Sequence, residues 1–353
     1  MHDDFLHLPY PSSLPTDRTA VTEAFRALDC AQVPSTRTAS RTPIAPPREP
    51  HRTRAGKRRR GEEDHDEHDR YFRVIRTLHN PTETFLTGLS TIYSSVRENG
   101  QEMATELLDT SSWRELFAAW DKLLEFADTP PPSFGPGTAS QAAESIGTPT
   151  PPRPGDGSGP AARWLLGHQL FFVLIQGTIV GLNCYLQAEE RDDASAALAG
   201  LTLATAFMRS SAPAIRFASD FDPIDYSTRI RPAMAPPAVA AGFSGLQTRD
   251  HAFLVSLFGR LRATLHKRGS TDAAFEEFVD ATVGVYEAHS FICARFNGTV
   301  LPSLRMAAAS QGRSTQPGVE ALRGIMRARL FALTGSNRLA EPAKPVAEGT
   351  VRR

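Results

Sequence analysis

Cysteine is scarce in this chain: Cys30, Cys184 and Cys293 are the only three in 353 residues. At such wide spacing they make neither a disulfide framework nor a zinc site. The usage fits a reducing cytoplasm, where a lone cysteine serves as packing more often than as chemistry. Net charge is also missing, with 39 Lys and Arg against 39 Asp and Glu, so nothing global points to a nucleic-acid partner. The local basic run Lys57-Arg58-Arg59-Arg60 is answered at once by acids between Glu62 and Asp69, and reads as a solvated stretch. No apolar segment follows a basic N-terminal start, as an export signal would require.

Long hydrophobic runs are few. Trp164 to Leu186 approaches the length of a membrane span. It carries His168, Gln169, Gln176 and Asn183, with Gly167, Gly177 and Gly181 interspersed, and no positive flank follows it. Polar groups of this kind are costly in lipid, so the run reads as a helix buried in protein, with no membrane partner. Strand-like alternation is scarce as well, and β-branched runs are short. An all-α fold follows, with no internal repeat.

What is present is organised in blocks. Residues 1–68 are rich in Pro, Thr, Arg and acids, with one short helix around 22–28, and read as a mostly disordered tail. Residues 70–127 show apolar positions at helical spacing: Phe85, Leu86, Leu89, Ile92, Tyr93 and Val96, then Trp113, Leu116, Phe117, Trp120, Leu123 and Leu124. A Pro/Gly/Ser/Thr linker occupies 128–160. A helical core is expected over 161–334. It comprises the Trp164 run, an Ala/Leu-rich helix over 193–208, an irregular Pro-rich stretch over 212–245, and helices over 249–266, 272–296 and 318–333. Residues 335–353 read as a disordered tail.

Of ten histidines, five lie in the first 68 residues. His65 and His68 among acids are better explained by a mobile polar tail than by a metal site. The informative ones are His168, His251 and His289. His289 and Cys293 stand four apart on an expected helix, so both point from one face with Cβ atoms about 5–6 Å apart. That offset suits a haem lying on the helix, the imidazole rising to the iron while the thiol adds to a vinyl at the ring edge. The common C-x-x-C-H attachment run is absent, and two such residues four apart also arise by chance in a packed core. His251, 38 positions earlier on the preceding helix, would face the same cavity across a helical hairpin. Cys184 reads as packing, and no spacing selects among Tyr185, Tyr226 and Tyr286.

The H-x(37)-H-x-x-x-C arrangement resembles the signature of the bacterial 3-methyl-L-tyrosine hydroxylases of saframycin-type, tetrahydroisoquinoline antibiotic pathways. The resemblance implies a c-type haem held by one thioether to Cys293, with His289 and His251 as axial ligands. A second likeness concerns the fold. His289 to Gly298 is similar to the H-x5-R-x2-G run around the proximal histidine of tryptophan 2,3-dioxygenases. Gly312 to Val319 with Leu322 looks like their glycine-rich loop, and Gly167-His168-Gln169 like their distal helix, whose histidine lines the substrate pocket. These runs span about half the chain. The dioxygenases lack the cysteine, and their carboxylate-binding segment is matched loosely by Ser210 to Phe217, which offers Arg216, with Arg209 competing, for an amino-acid carboxylate. A surface ion pair with Asp220 or Asp222 explains Arg216 equally well.

The resemblance further implies a dioxygenase-like helical haem fold assembled as a dimer or tetramer. It implies hydroxylation of 3-methyl-L-tyrosine to 3-hydroxy-5-methyl-L-tyrosine with hydrogen peroxide as oxidant. His251 would leave the iron as peroxide arrives and then serve as base, with His168 as the alternative base or as partner of the phenol hydroxyl. A haem-dependent L-tyrosine hydroxylase or an indole dioxygenase would share this core. A bis-histidine haem sensor or electron carrier remains an alternative of another class, as does a helical protein with chance His/Cys spacing.

Overall fold

The structure, a computed structural model, describes residues 5–30, 60–102, 105–128, 159–241, 243, 248–268, 273–297 and 318–335. Strand β1 (Leu6–Pro9) precedes helices α1 (Arg18–Cys30) and α2 (Arg60–Tyr71). Strand β2 (Val74–Thr77) leads into α3 (Pro81–Glu102) and α4 (Thr110–Phe126). The long helices α5 (Pro160–Glu190) and α6 (Ala194–Ala218) follow. Short helical turns over 223–233 then lead to α7 (Arg249–Arg268), α8 (Ala273–Asn297) and α9 (Gly318–Thr334). The fold is all-α apart from one small parallel strand pair, in register Leu6↔Val74 to Pro9↔Thr77.

An antiparallel hairpin of α5 and α6 forms the centre, and the other helices lean on it: α3 and α7 on α5, α4 and α8 on α6, with α9 bridging α7 and α8. Helix α5 is apolar all round, and such a helix must be covered on every side. By length and composition it could cross a membrane, yet 78% of its most apolar window is buried within the fold. Close approach is built into the hairpin by glycine. A Cβ at Gly181 would lie 2.5 Å from the Ala204 backbone nitrogen, and one at Gly167 would lie 2.3 Å from the Ala218 Cβ. The second contact draws the end of α6 against the turn of α5 that carries His168.

The N-terminal region departs from the expected tail over 1–68. Residues 5–30 form β1 and α1, and α2 begins at Arg60. The reason is docking rather than propensity: Leu6, Leu8, Val21 and Phe25 are buried in the common core, burial that a 68-residue composition average hides. His68 is likewise fixed, 2% exposed and stacked on Phe243 at 4.1 Å. Helix α6 also runs past the expected end at 208, through Pro213 to Ala218. Proline costs one helical hydrogen bond, but Pro213, Ala214 and Phe217 are buried at helical spacing, which offsets it. The core of the linker expected over 128–160, most of the tail after 335 and the Gly312–Pro317 loop lie outside the described residues.

Candidate functional site

Helices α7 and α8 meet edge to face at Phe258 and Phe278, ring centroids 6.1 Å apart. Among the described residues they do not form a close-packed pair beyond that region; α7 packs on α5 and α9, and α8 on α6 and α9. At 1.5 Å per residue His251 stands about 10 Å along α7 from the contact, and His289 about 16 Å along α8. Both histidines thus lie well away from that contact along their helices. On α8 the face is clear: Phe291 is 51% exposed, while His289 and Cys293, two residues to either side, turn inward.

His289 and Cys293 are both hemmed in by protein yet keep part of their surface open, as does His168. His168 and His289 lie near enough to interact, and the space they border is here called the recess. Desolvation there pushes His289 down to about 4 and Cys293 up to about 11, so the imidazole is neutral and the thiol protonated. His168 is also held down at about 4, first by burial, with the nearby His289 adding to it against the Trp164 carbonyl. The structure therefore brings His168 and His289 to the same recess. His168 Nδ1 lies 2.7 Å from the Trp164 carbonyl oxygen. On a neutral ring Nδ1–H donates to it, and Nε2 keeps its lone pair.

Aromatic rings form the walls. His168 stacks on Phe72 at 4.5 Å and lies 4.1 Å from the Trp164 ring. Trp164 in turn faces Tyr226 at 5.9 Å, and Tyr226 stacks flat on Phe296 of α8 at 4.2 Å. The turn that delivers Tyr226 is gripped from two sides: Arg163 donates to the Asp220 carbonyl and Arg295 to the Phe221 carbonyl. Tyr226 then opens a π-helical turn, Tyr226–Ile230, a local irregularity common at functional sites. Its phenol is raised by burial, receives a hydrogen bond from Arg231 and senses Cys293. Neither Trp164, Tyr226 nor Arg231 was singled out by sequence spacing; for Tyr226 and Arg231 the π-turn breaks the periodicity that would have revealed them.

His251 is 6% exposed and occupies the first turn of α7, where its backbone N–H donates to the Thr248 hydroxyl at 3.2 Å. The two arginines offered for a carboxylate lie elsewhere. Arg209 forms a 3.1 Å ion pair with Glu277 in which both side chains are about half exposed. Arg216 faces Asp109, which caps the N-terminus of α4, and Glu115 on α4. Asp220, suggested as a partner for Arg216, instead accepts the Glu106 and Leu107 backbone N–H groups. Tyr185 packs in the core, and Tyr286 faces Arg329 on α9.

The recess fits a haem on the chemistry of its donors. Imidazoles must be neutral to bind iron, and His289 is neutral there. A thiol stands one helical turn away. Among the described residues the buried Trp164 Nε1–H has no well-formed hydrogen bond, and the Tyr71 phenol is the group that approaches it. Among the described residues no three His, Cys, Asp or Glu side chains gather to hold a bare metal ion; a macrocycle asks the protein for only one or two axial donors.

Comparison with known proteins follows the same lines. A family model described as SfmD 3-methyl-L-tyrosine peroxygenase matches residues 7–277, which include His168 and His251 and stop before His289. A 3-methyl-L-tyrosine peroxygenase from Streptomyces lavendulae is 29% identical over 270 residues, covering 76% of this chain and 70% of that protein. The crystal structure of reduced SfmD, soaked with sodium hydrosulfite, superposes with a TM-score of 0.57 at 24% identity, over 80% of this chain and 95% of that one; this likeness speaks for the fold. The chain belongs to the SfmD 3-methyl-L-tyrosine peroxygenase family.

Proposed function

We propose that the protein is a haem-dependent peroxygenase that hydroxylates the ring of 3-methyl-L-tyrosine at the expense of hydrogen peroxide, giving 3-hydroxy-5-methyl-L-tyrosine. Family membership supports the reaction class. The observation that carries the reading to this chain is the desolvated recess in which His289 and Cys293 share the inner face of α8 with His168 opposite. We assign His289 and His251 as the residues that would hold the haem iron and Cys293 as the residue that would tether the haem. Haem, when bound, would supply the oxidising power drawn from peroxide.

The chain's own groups account for the rest. Phe72, Trp164, Tyr226 and Phe296 offer flat apolar walls that pack a phenol ring and exclude water. His168 Nε2 presents a lone pair to the recess and accepts the hydrogen bond of a phenol hydroxyl or a proton from peroxide. We assign to His251, besides a part in holding the haem, an imidazole that would move a proton between the peroxide oxygens. Arg231, beside Tyr226, is the guanidinium we assign to the amino-acid carboxylate in place of Arg209 and Arg216. We further infer a soluble cytoplasmic homo-oligomer with the dioxygenase-like subunit arrangement.

The test is direct. The haem-loaded protein is given hydrogen peroxide with 3-methyl-L-tyrosine, L-tyrosine or L-tryptophan, and products are weighed by mass spectrometry. A product one oxygen heavier from methyltyrosine, labelled by isotopically heavy peroxide and not by water, is expected. Ring opening of tryptophan with dioxygen would favour a dioxygenase, and reversible reduction without any product would leave an electron carrier.

A further inference from the structure

Beneath the first turn of α7 lies a buried ionic cluster that the chemistry above does not use. Arg76, in β2, has a side chain only 4% exposed, and it faces Asp69 at 8% and Asp250 at 0%. All five guanidinium N–H groups are engaged. Nε and Nη2 donate to Asp69 Oδ1 at 3.1 and 2.7 Å. Nη1 donates to the Pro9 carbonyl and to Asp250 Oδ1, both at 3.1 Å, and Nη2 also donates to Asp250 Oδ2 at 2.5 Å. Gln176 of α5 closes the set, its amide donating to the same Pro9 carbonyl and to Asp250 Oδ1, each at 2.9 Å.

Removing charges from water costs about as much as their pairing returns, so an apolar cluster would hold these elements together equally well. A two-pronged guanidinium–carboxylate contact gives orientation, which apolar contact does not. The residue it orients is Asp250, and the next residue is His251. Arg249, on the other side, is paired with Asp66 at 2.7 Å, and Thr248 caps the His251 N–H. The backbone around His251 is thus tied to β2, α2 and α5 together.

We propose that Arg76 is the positioning residue for His251: its grip on Asp250 sets where the imidazole stands in the recess and how firmly it resists displacement. The proposal rests on the reading of His251 as an axial donor. An Arg76→Lys chain keeps the charge but offers three donors in place of a planar fork of five. In the full-length, haem-loaded ferric protein we expect Arg76→Lys to raise the high-spin to low-spin ratio by about tenfold, the scale on which losing charge-assisted hydrogen bonds moves a two-state equilibrium. Added imidazole should restore the low-spin spectrum. Asp69→Asn, which leaves the Arg76–Asp250 contact in place, should shift the ratio less and serves if Arg76→Lys does not fold. His251→Ala is measured alongside. If His251→Ala changes the spectrum while Arg76→Lys and Asp69→Asn only lower the unfolding temperature, the cluster is structural and the proposal falls alone. If His251→Ala leaves the low-spin spectrum intact, the axial assignment falls and the proposal with it.

Discussion

His168 Nδ1 stands 2.7 Å from the carbonyl oxygen of Trp164, one turn back on the same helix. The bond commits a neutral imidazole to one tautomer and aims Nε2 away from the helix axis, into the recess shared with His289. A group held this way is prepared to accept a proton without reorienting. His168→Phe should therefore cut kcat by about 10²–10⁴, the usual contribution of a positioned base, while haem content and absorption spectrum stay as in the parent. A kcat within a few-fold of the parent would remove His168 from the chemistry and leave it as a wall of the pocket.

How far the sequence announced this arrangement varies with distance along the chain. The pairing of His289 with Cys293 was legible because helical periodicity alone puts positions four apart on one face, and α8 spans both. The core helices were legible for the same reason. His251 was reached through the expected helical hairpin and by resemblance, since no local pattern relates it to a residue 38 positions later. Arg76 and Asp250 were invisible: they meet across 174 positions, and neither sits in a motif. The arginines offered for a carboxylate, Arg209 and Arg216, are engaged with acids on neighbouring helices. They face Glu277 of α8 and the α4 side, whereas the residue beside Tyr226 is Arg231, delivered by a π-turn that no periodicity anticipates.

That difference in direction makes a kinetic prediction. Arg231→Gln should raise KM for the amino acid by roughly 10- to 100-fold, as losing a hydrogen bond to a charged partner worth about 1.5–3 kcal/mol would. Arg209→Gln should leave KM unchanged and cost at most about 1 kcal/mol of stability, because its ion pair with Glu277 is exposed. Arg216→Gln, on the α4 side, should also spare KM. Steady-state kinetics with varied amino acid decides it: a KM rise in Arg209→Gln or Arg216→Gln and none in Arg231→Gln would reverse the assignment.

Packing of the central hairpin predicts opposite outcomes for two glycines. Each Gly→Ala change in a helix gains up to about 1 kcal/mol from propensity. At Gly181 the new Cβ would lie 2.5 Å from a backbone atom of α6, which cannot swing aside, so overpacking of about 1–3 kcal/mol outweighs the gain. At Gly259 a Cβ meets nothing within 4 Å, and the gain stands alone. Thermal unfolding should show a lowered Tm for Gly181→Ala and a raised one for Gly259→Ala. Equal shifts would mean that α5 and α6 are not in close contact at Gly181.

The inward face of α8 makes the most decisive prediction. If Cys293 adds across a haem vinyl, the cofactor becomes part of the chain: acid–acetone extraction should leave the protein coloured, and the intact mass should exceed the polypeptide by one haem. Cys293→Ala should release the haem to the organic phase while retaining it under native conditions through His289. His289→Ala should lose most of the haem, because a neutral, desolvated imidazole is the donor that burial has prepared there. The two variants separate tether from ligand, since the residues are one helical turn apart and neither substitution disturbs the aromatic wall of Phe72, Trp164 and Tyr226. Haem that extracts freely from the parent protein would refute the thioether. An unchanged spectrum and full haem content in His289→Ala would refute the axial assignment, whatever the fate of the tether.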